Sequence, residues 1–432
     1  MHGRGLDRLI EWLRIPSVSA DPAHRTDIDA AAEWLARYIE GAGGSADLVE
    51  TDRNPLVVGE WLPTDPATDQ PPTVLLYGHY DVQPGGDPAA WSSPPFEPEL
   101  RDGWLYGRGT ADDKGPFFAL LRAAEELAAE RTLPVRVRVI GDGEEEILGE
   151  SVLEFLRASL ERPDACVIFD GPMPSEGQPG LVLGCRGLVY LRLRLRTGEK
   201  DLHSGFYGGA ALNAANAMAE LVAGISGEVP SRGVSPDLAG KLEREDHAEA
   251  SGALARTGAR PRDEAAGGEF VARTLTQPAL DVHSLGAGSP GRQATVIPVA
   301  ATADLSVRIV PEQDPEDVAA ELERLLRNRC ASGAEIEVDR LACVPPALLD
   351  SEDVALAVAE EALAGAFGVP VQRGLTGGTL PVVALLAEQG IPTIMTGIDV
   401  PSGNAHGPDE RLNLEYLNRG IHAARAMLRA LG

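Results

Sequence analysis

The chain has 432 residues, of which 44% are hydrophobic and 24% charged, and it carries a net charge of −28. That length exceeds a single compact core and predicts two domains. The charge, spread along the chain, argues against nucleic acid or an anionic membrane as partner. No run of about 18 apolar residues occurs, which predicts no membrane-spanning helix. The N-terminus, MHGRGLDRLIEWLRIPSVSA, breaks its apolar pattern with charge and lacks the core of a signal peptide, so a cytoplasmic location is expected. Cys166, Cys185, Cys330 and Cys343 are scattered without a C-x-x-C pair. They read as small buried hydrophobes, not as a zinc knuckle or a disulfide framework.

Apolar spacing predicts helices over Leu6 to Trp12 and Ile28 to Ile39, then a short strand over Ala46 to Val49. Thr73 to Tyr77 is a buried strand. It runs into LLYGHYDVQPGGDPAAWSSPPFEPELRDGWLYGRGTADDKGP, the stretch around which the rest is arranged. A helix follows over Lys114 to Ala129. Next come a strand over Val135 to Ile140, a helix over Ser151 to Leu160 and a strand over Ala165 to Phe169. This alternation indicates an α/β layer with a largely parallel sheet. After Cys185 the pattern changes. Leu188 to Thr197 alternates Leu and Arg, as a half-exposed strand does. A helix over Ala210 to Leu221 follows. Residues 225 to 295 are rich in Gly, Pro, Ser and charge. Then come a strand (Thr302 to Val310), a helix (Asp314 to Asn328) and a second alternating strand (Ala334 to Leu341). These pieces suggest an inserted α+β module whose antiparallel sheet faces solvent on one side. Parallel α/β character resumes after Pro346, with helices over Val354 to Phe367 and Val382 to Glu388, a strand over Ile391 to Met395 and a helix over Leu414 to Leu431. The expected organisation is a catalytic domain in two parts, 1–186 and 346–432, with an inserted domain at 187–345.

Ligands of such sheets gather beyond the carboxyl ends of strands. His79 and Asp81, two apart on an extended chain, share a face there. Asp112 and Asp113 follow a Gly-rich turn, Glu144 to Glu146 follow one strand and Asp170 ends another. His and carboxylates at neighbouring strand ends suit a hard cation or zinc. One Glu of the run could ligate while its neighbour takes a proton from an activated water. Each residue also has a bland reading: the Glu run as a solvated loop, Asp170 as a turn or cap residue, His203 and His406 as surface histidines. Arg308, on an otherwise apolar strand, either faces solvent or grips a carboxylate through its fork of donors. Gly377, Gly378 and Thr379 are either a plain loop and helix cap or an anion-binding turn.

Taken together, GHYDVQP, WSSPPFEPELRDGWLYGRGTADDKGP, GEEE, KDLHSGFYGG, the TVIP from Thr295 to Pro298, and SVRIVP resemble the M20 family of metallopeptidases. Within it the chain is most similar to the cytosolic non-specific dipeptidase and carnosinase branch, over nearly its whole length. The resemblance implies a di-metal catalytic domain with an inserted lid domain that forms a homodimer. It implies two divalent ions, zinc first and manganese or cobalt as alternatives. His79 and Asp170 would hold one ion, Glu146 and His406 the other, and Asp112 would bridge them. Asp81 would orient His79, and Glu145 would be the general base. His203 would act in the partner subunit's site on the developing oxyanion. Arg308, the Gly377 to Thr379 loop and Thr295 would bind substrate.

The implied reaction is hydrolysis of a dipeptide or short peptide with a free C-terminal carboxylate. The alternatives are a deacylase or amidase of N-acyl amino acids on the same scaffold and, more remotely, a non-catalytic peptide- or metal-binding relative. Four features depart from the family pattern. Asp142 stands where Glu is more usual, and Leu148 where Gly is. No lid histidine lies near Cys343, which counts against carnosine-like specificity. SGNA precedes His406 in place of an acidic pair.

Overall fold

Strand Thr73–His79 is buried from Val74 onward. A strand with both faces apolar needs cover on both sides, and so sits at the centre of a sheet. It pairs in parallel with Arg136–Asp142 and with Ala165–Ile168, and Thr393–Met395 adds a further parallel neighbour. The flanks turn antiparallel: Leu56–Trp61 pairs with Arg136–Asp142, Ser45–Val49 with Leu56–Trp61, and Val182 meets Met395. Helices Arg4–Leu13, Arg25–Gly41, Lys114–Ala129, Val354–Phe367 and Leu414–Ala430 share one apolar core with these strands. The chain therefore has the α/β class expected, with parallel pairing confined to the middle of the sheet.

The computed structural model describes residues 4–64, 70–159, 161–225, 234, 254, 258–289, 291 and 293–432. It divides into two compact units. The first comprises Met1–Leu183, Leu349–Gly374 and Pro381–Gly432; the second comprises Gly184–Leu348 and Leu375–Leu380. The loop from Gly377 to Thr379 thus groups with the second unit. No described helix is long and apolar enough to cross a membrane.

In the second unit, Gly187–Arg196 and Ala300–Ile309 are central strands of a four-stranded antiparallel sheet, with Ala279–Ala287 and Glu335–Val344 at its edges. Val189, Leu191, Leu193 and Leu195 pack with helices Ala214–Ile225 and Pro315–Arg329. The alternate residues Arg192, Arg194 and Arg196 are exposed. Arg192 grips Asp304 with two hydrogen bonds, of 2.7 and 3.0 Å. The period-2 pattern thus builds a sheet with one dry and one wet face.

Several elements differ from expectation for local reasons. The helix expected from Ala210 begins at Ala214, because the Asn213 side chain accepts hydrogen bonds from Ala215 N and Asn216 N and caps it there. Strand Ala279–Ala287 lies inside the stretch expected to be irregular. A β-bulge between Val282 and Ser284 breaks its alternation, so no period of 2 runs through it. Residues 226–233, 235–253, 255–257, 290 and 292 of that stretch lie outside the described residues, as does Leu160 at the expected end of helix Ser151–Ala158. Leu56–Trp61 and Gly180–Cys185 are strands too short and Gly-marked for a periodic signal.

A small three-stranded sheet decides how the site is assembled. Trp104–Tyr106 pairs with Glu99–Arg101 on one side and with Arg411–Asn413 on the other. This joins the Gly-rich turn before Asp112 to the loop that carries His406.

Candidate metal centre

The first unit brings seven of the expected residues together: His79, Asp81, Asp112, Glu145, Glu146, Asp170 and His406. His79 closes strand Thr73–His79. Glu145 opens a 3₁₀ turn just past strand Arg136–Asp142, and Asp170 lies just past Ala165–Ile168. All three stand at carboxyl ends of parallel strands, the geometry that gathers ligands. Gly78, before His79, leaves no room for a side chain. A Cβ there would sit 2.3 Å from the Phe117 ring and 2.8 Å from an Asp113 oxygen. Gly78→Ala is expected to destabilise the protein by about 1–3 kcal/mol through overpacking, read as a lower urea midpoint. An unchanged midpoint would show that the ring and the carboxylate can yield.

Asp112 is the pivot. Its Oδ1 lies 3.0 Å from His79 Nε2, and its Oδ2 lies 2.8 Å from His406 Nε2. His406 Nε2 is also 3.3 Å from Glu146 Oε2. Glu145 Oε2 and Asp170 Oδ2 each stand 3.9 Å from His79 Nε2. Gln83 Nε2 donates to Glu146 Oε2 at 2.7 Å. Ligand atoms of His79, Asp112 and Glu146 all lie within 4.8 Å of one another. The peptide between Asp112 and Asp113 is cis.

The nearest partner of His79 Nδ1 is the main-chain oxygen of Asp81, at 3.0 Å, while the Asp81 carboxylate stands 3.5 Å away. A carbonyl only accepts, so Nδ1 carries a hydrogen and Nε2 faces the cluster as the atom able to ligate. The Asp81 carboxylate instead accepts from Glu146 N at 3.2 Å. Asp81 thus orients His79 through its backbone and steadies Glu146 through its side chain.

Glu144 turns away from the cluster and is buried. Its Oε1 accepts from Asn54 N at 2.9 Å, from Ser151 Oγ at 2.8 Å and from Thr51 Oγ1 at 3.3 Å. Asp142 accepts from Glu144 N at 2.9 Å and from Tyr77 Oη at 3.0 Å, and so fixes the start of the acidic turn. Leu148 closes that turn in the left-handed region, φ 53°, a conformation that favours glycine.

The electrostatics show crowded like charge. Burial pushes Glu145 and Asp170 well above the usual carboxylate range, against the pull of His79. Burial also raises Asp112, but hydrogen bonds from His406 and His79 outweigh it and hold that carboxyl below its usual value. The bonds to Asp112 and Glu146 lift His406 to about 10. Buried carboxylates with two imidazoles and no thiolate form a donor set for a divalent ion with nitrogen and oxygen preference, and a cation among them relieves the repulsion. These residues fit such an ion.

The remaining predicted residues lie in the second unit. His203 is exposed, and its Nδ1 accepts from Gly205 N at 3.0 Å. It pairs with Val296, and Ser204 N donates to Thr295 O at 3.0 Å, so His203 and Thr295 are neighbours. Arg308 Nη1 donates to Thr379 Oγ1 at 2.7 Å, and Thr379 Oγ1 donates to Arg186 O at 2.6 Å. Gly377 accepts from Arg186 Nε at 3.2 Å, and Gly378 N donates to Thr376 Oγ1 at 3.4 Å.

Nothing in GCRG marks Arg186 in the sequence. It is only 9% exposed, and burial, followed by the nearby Arg308, lowers it to about 10. Gln83, Arg108 and Glu410 were missed as well. Gln83 lies inside GHYDVQP, but an amide carries no signal of its own. Glu410 lies four residues past His406 in HGPDE, among turn residues where acids are common.

Comparison with known proteins agrees with this geometry. The family model described as Peptidase family M20/M25/M40 matches residues 75–430. A cysteinylglycine-S-conjugate dipeptidase of Corynebacterium striatum is 30% identical over 433 residues, spanning 95% of this chain and 91% of its own. A Beta-Ala-His dipeptidase of Rattus norvegicus is 26% identical over 441 residues, spanning 94% of this chain and 88% of its own. Among solved structures, an M20 family metallo-carboxypeptidase of Sulfolobus solfataricus superposes with a TM-score of 0.86 at 26% identity, covering 100% of this chain and 99% of that one. With a match across most of its length and a His/carboxylate cluster at the strand ends, the chain belongs to peptidase family M20/M25/M40 and is a metallopeptidase.

Proposed function

We propose that the protein is a metal-dependent dipeptidase acting on dipeptides or short peptides with a free C-terminal carboxylate. The observation that carries this is the Asp112 carboxylate, one oxygen on His79 and the other on His406, with Glu145 beside it. The dipeptidase names of the Corynebacterium striatum and Rattus norvegicus relatives support the substrate class.

In this reading residues 1–186 and 346–432 form the catalytic domain and 187–345 the lid. His79 and Asp170 would hold one divalent ion and Glu146 and His406 a second, and Asp112 would contribute to both. Zinc is the first choice, with manganese or cobalt as alternatives, since the donors are imidazole and carboxylate without cysteine. Bound ions supply Lewis acidity that activates water and polarises a carbonyl. Glu145 takes a proton from the attacking water at its carboxylate and returns it to the nitrogen of the leaving amine. Asp81 keeps Nε2 of His79 turned to the cluster. Arg308, with Thr379 and the Gly377 and Gly378 backbone, holds the free carboxylate, and Thr295, beside His203, contributes to substrate binding.

His203 serves the partner subunit's site in a homodimer formed through the lid. Its exposure supports this, as do the exposed apolar side chains around it: Phe206 is 81% and Val296 43% exposed. The cytoplasm is the proposed location.

The test is a panel of dipeptides against N-acyl amino acids with added Zn²⁺, Mn²⁺ or Co²⁺. Dipeptide turnover is expected, and activity confined to N-acyl substrates would overturn the reading in favour of a deacylase. Within that panel, Arg308→Ala is expected to lower kcat/KM by about 30-fold, the equivalent of about 2 kcal/mol for a lost charge-assisted hydrogen bond. The loss should appear chiefly in KM and vanish for peptides amidated at the C-terminus.

A further inference from the structure

Beneath the cluster lies an ion pair that supplies no ligand. Arg108 is 3% exposed and Glu410 0%, and Arg108 Nη1 donates to Glu410 Oε2 at 2.6 Å. The same oxygen accepts from Gly109 N at 3.0 Å. The other oxygen, Oε1, accepts from Ala111 N at 2.8 Å and from Asp112 N at 3.2 Å. Burial raises Glu410 to about 7, against the pull of Arg108 and of the Ala111 and Gly109 N–H groups, and four N–H donors on its two oxygens favour the carboxylate ion. From its second nitrogen, Arg108 donates to His406 O at 3.3 Å and to Pro84 O at 3.2 Å. One buried pair therefore grips the backbone at Asp112, the backbone at His406 and the segment that leaves His79 and Gln83.

The His406 loop needs such an anchor. Asn404, His406 and Asp409 have φ of 60°, 62° and 55°, in the left-handed region, which Asn, His and Asp enter more readily than other side chains do. Local bonds help to hold the loop, with Asn404 Nδ2 donating to Pro408 O and Gly407 N to Asn404 O, and Arg108 fixes it from outside at His406 O.

We propose that Arg108 and Glu410 are positioning residues of the metal centre: together they hold Asp112 and His406 in one frame and so set the affinity of the site for its second ion. This rests on the metal-site reading above. It predicts that the pair acts through geometry. Charge alone would act differently, because the pair adds no net charge to the site.

The experiment titrates metal-free protein with Co²⁺, following visible absorption for the ligand set and calorimetry for affinity and stoichiometry. Circular dichroism checks the fold, and no substrate is needed. Glu410→Gln is expected to weaken the second ion about 10- to 100-fold, the usual effect of disturbing the groups that support metal ligands. The double variant Arg108→Met/Glu410→Gln restores the net charge and is expected to stay at least 10-fold weak. Should either variant fail to fold, Arg108→Lys keeps the charge but loses the fork that reaches His406. It is expected to weaken the second ion while leaving the first unchanged. Wild-type affinity in the folded single variants, or recovery in the double variant, would overturn the inference. A wild-type protein that binds no Co²⁺ would instead overturn the metal-site reading.

Discussion

Glu145→Gln is expected to lower kcat by about 10²- to 10⁴-fold, the contribution of a general base, and to leave metal content unchanged. The geometry separates Glu145 from its neighbour. Glu146 Oε2 meets Gln83 at 2.7 Å and His406 at 3.3 Å, which suits the ligand role proposed for it. Glu144 is spent on Asn54, Ser151 and Thr51. Glu145 stands 3.9 Å from His79 Nε2, and in the proposed function it is the group that moves the proton. Gln preserves its shape and removes its basicity, so a loss of turnover at full metal content isolates the proton transfer. Survival of activity, or loss of an ion, would show that the acidic turn has been assigned wrongly. Glu146→Gln gives the opposite pattern, with metal lost first.

Chelation is expected to abolish activity and to lower the melting temperature, and added Zn²⁺, Mn²⁺ or Co²⁺ should restore both. A ligand that binds only the folded state adds about 4 kcal/mol when present at 1,000 times its Kd. The structure accounts for the direction. Asp112, Asp113, Glu145, Glu146 and Asp170 crowd one region, and burial lifts Asp113, Glu145 and Asp170 well above ordinary carboxyl values. Removing a cation exposes that repulsion. Turnover unaffected by a strong chelator would rule out the metal-dependent mechanism, and an unchanged melting temperature would rule out binding at these carboxylates.

Much of the fold was legible because its elements are long and periodic. Helices Lys114–Ala129 and Val354–Phe367 match their expected limits, since each buries a continuous apolar face. The ligand candidates were legible because a parallel sheet places residues beyond its strand ends at one edge, and the sequence puts His79, Glu145 and Asp170 there. What was not legible depends on contacts between distant segments. Nothing in HGPDE indicates that Glu410 accepts from Ala111 and Asp112, 299 and 298 residues away. Nothing in GCRG indicates that Arg186 lies under Gly377. The backbone role of Asp81 was hidden too, because a sequence names side chains and the bond runs to a carbonyl.

The three-stranded sheet that ties Trp104–Tyr106 to Arg411–Asn413 has a kinetic consequence. Glu410 trails Asp112 by 298 residues. At a synthesis rate of about 5–20 residues per second, roughly 15–60 s separate the emergence of the two. For most of that interval the growing chain carries His79, Asp112, Glu145, Glu146 and Asp170 without His406 or Glu410. The full set of proposed ligands therefore exists only near the end of translation, once His406 and strand Arg411–Asn413 have been made.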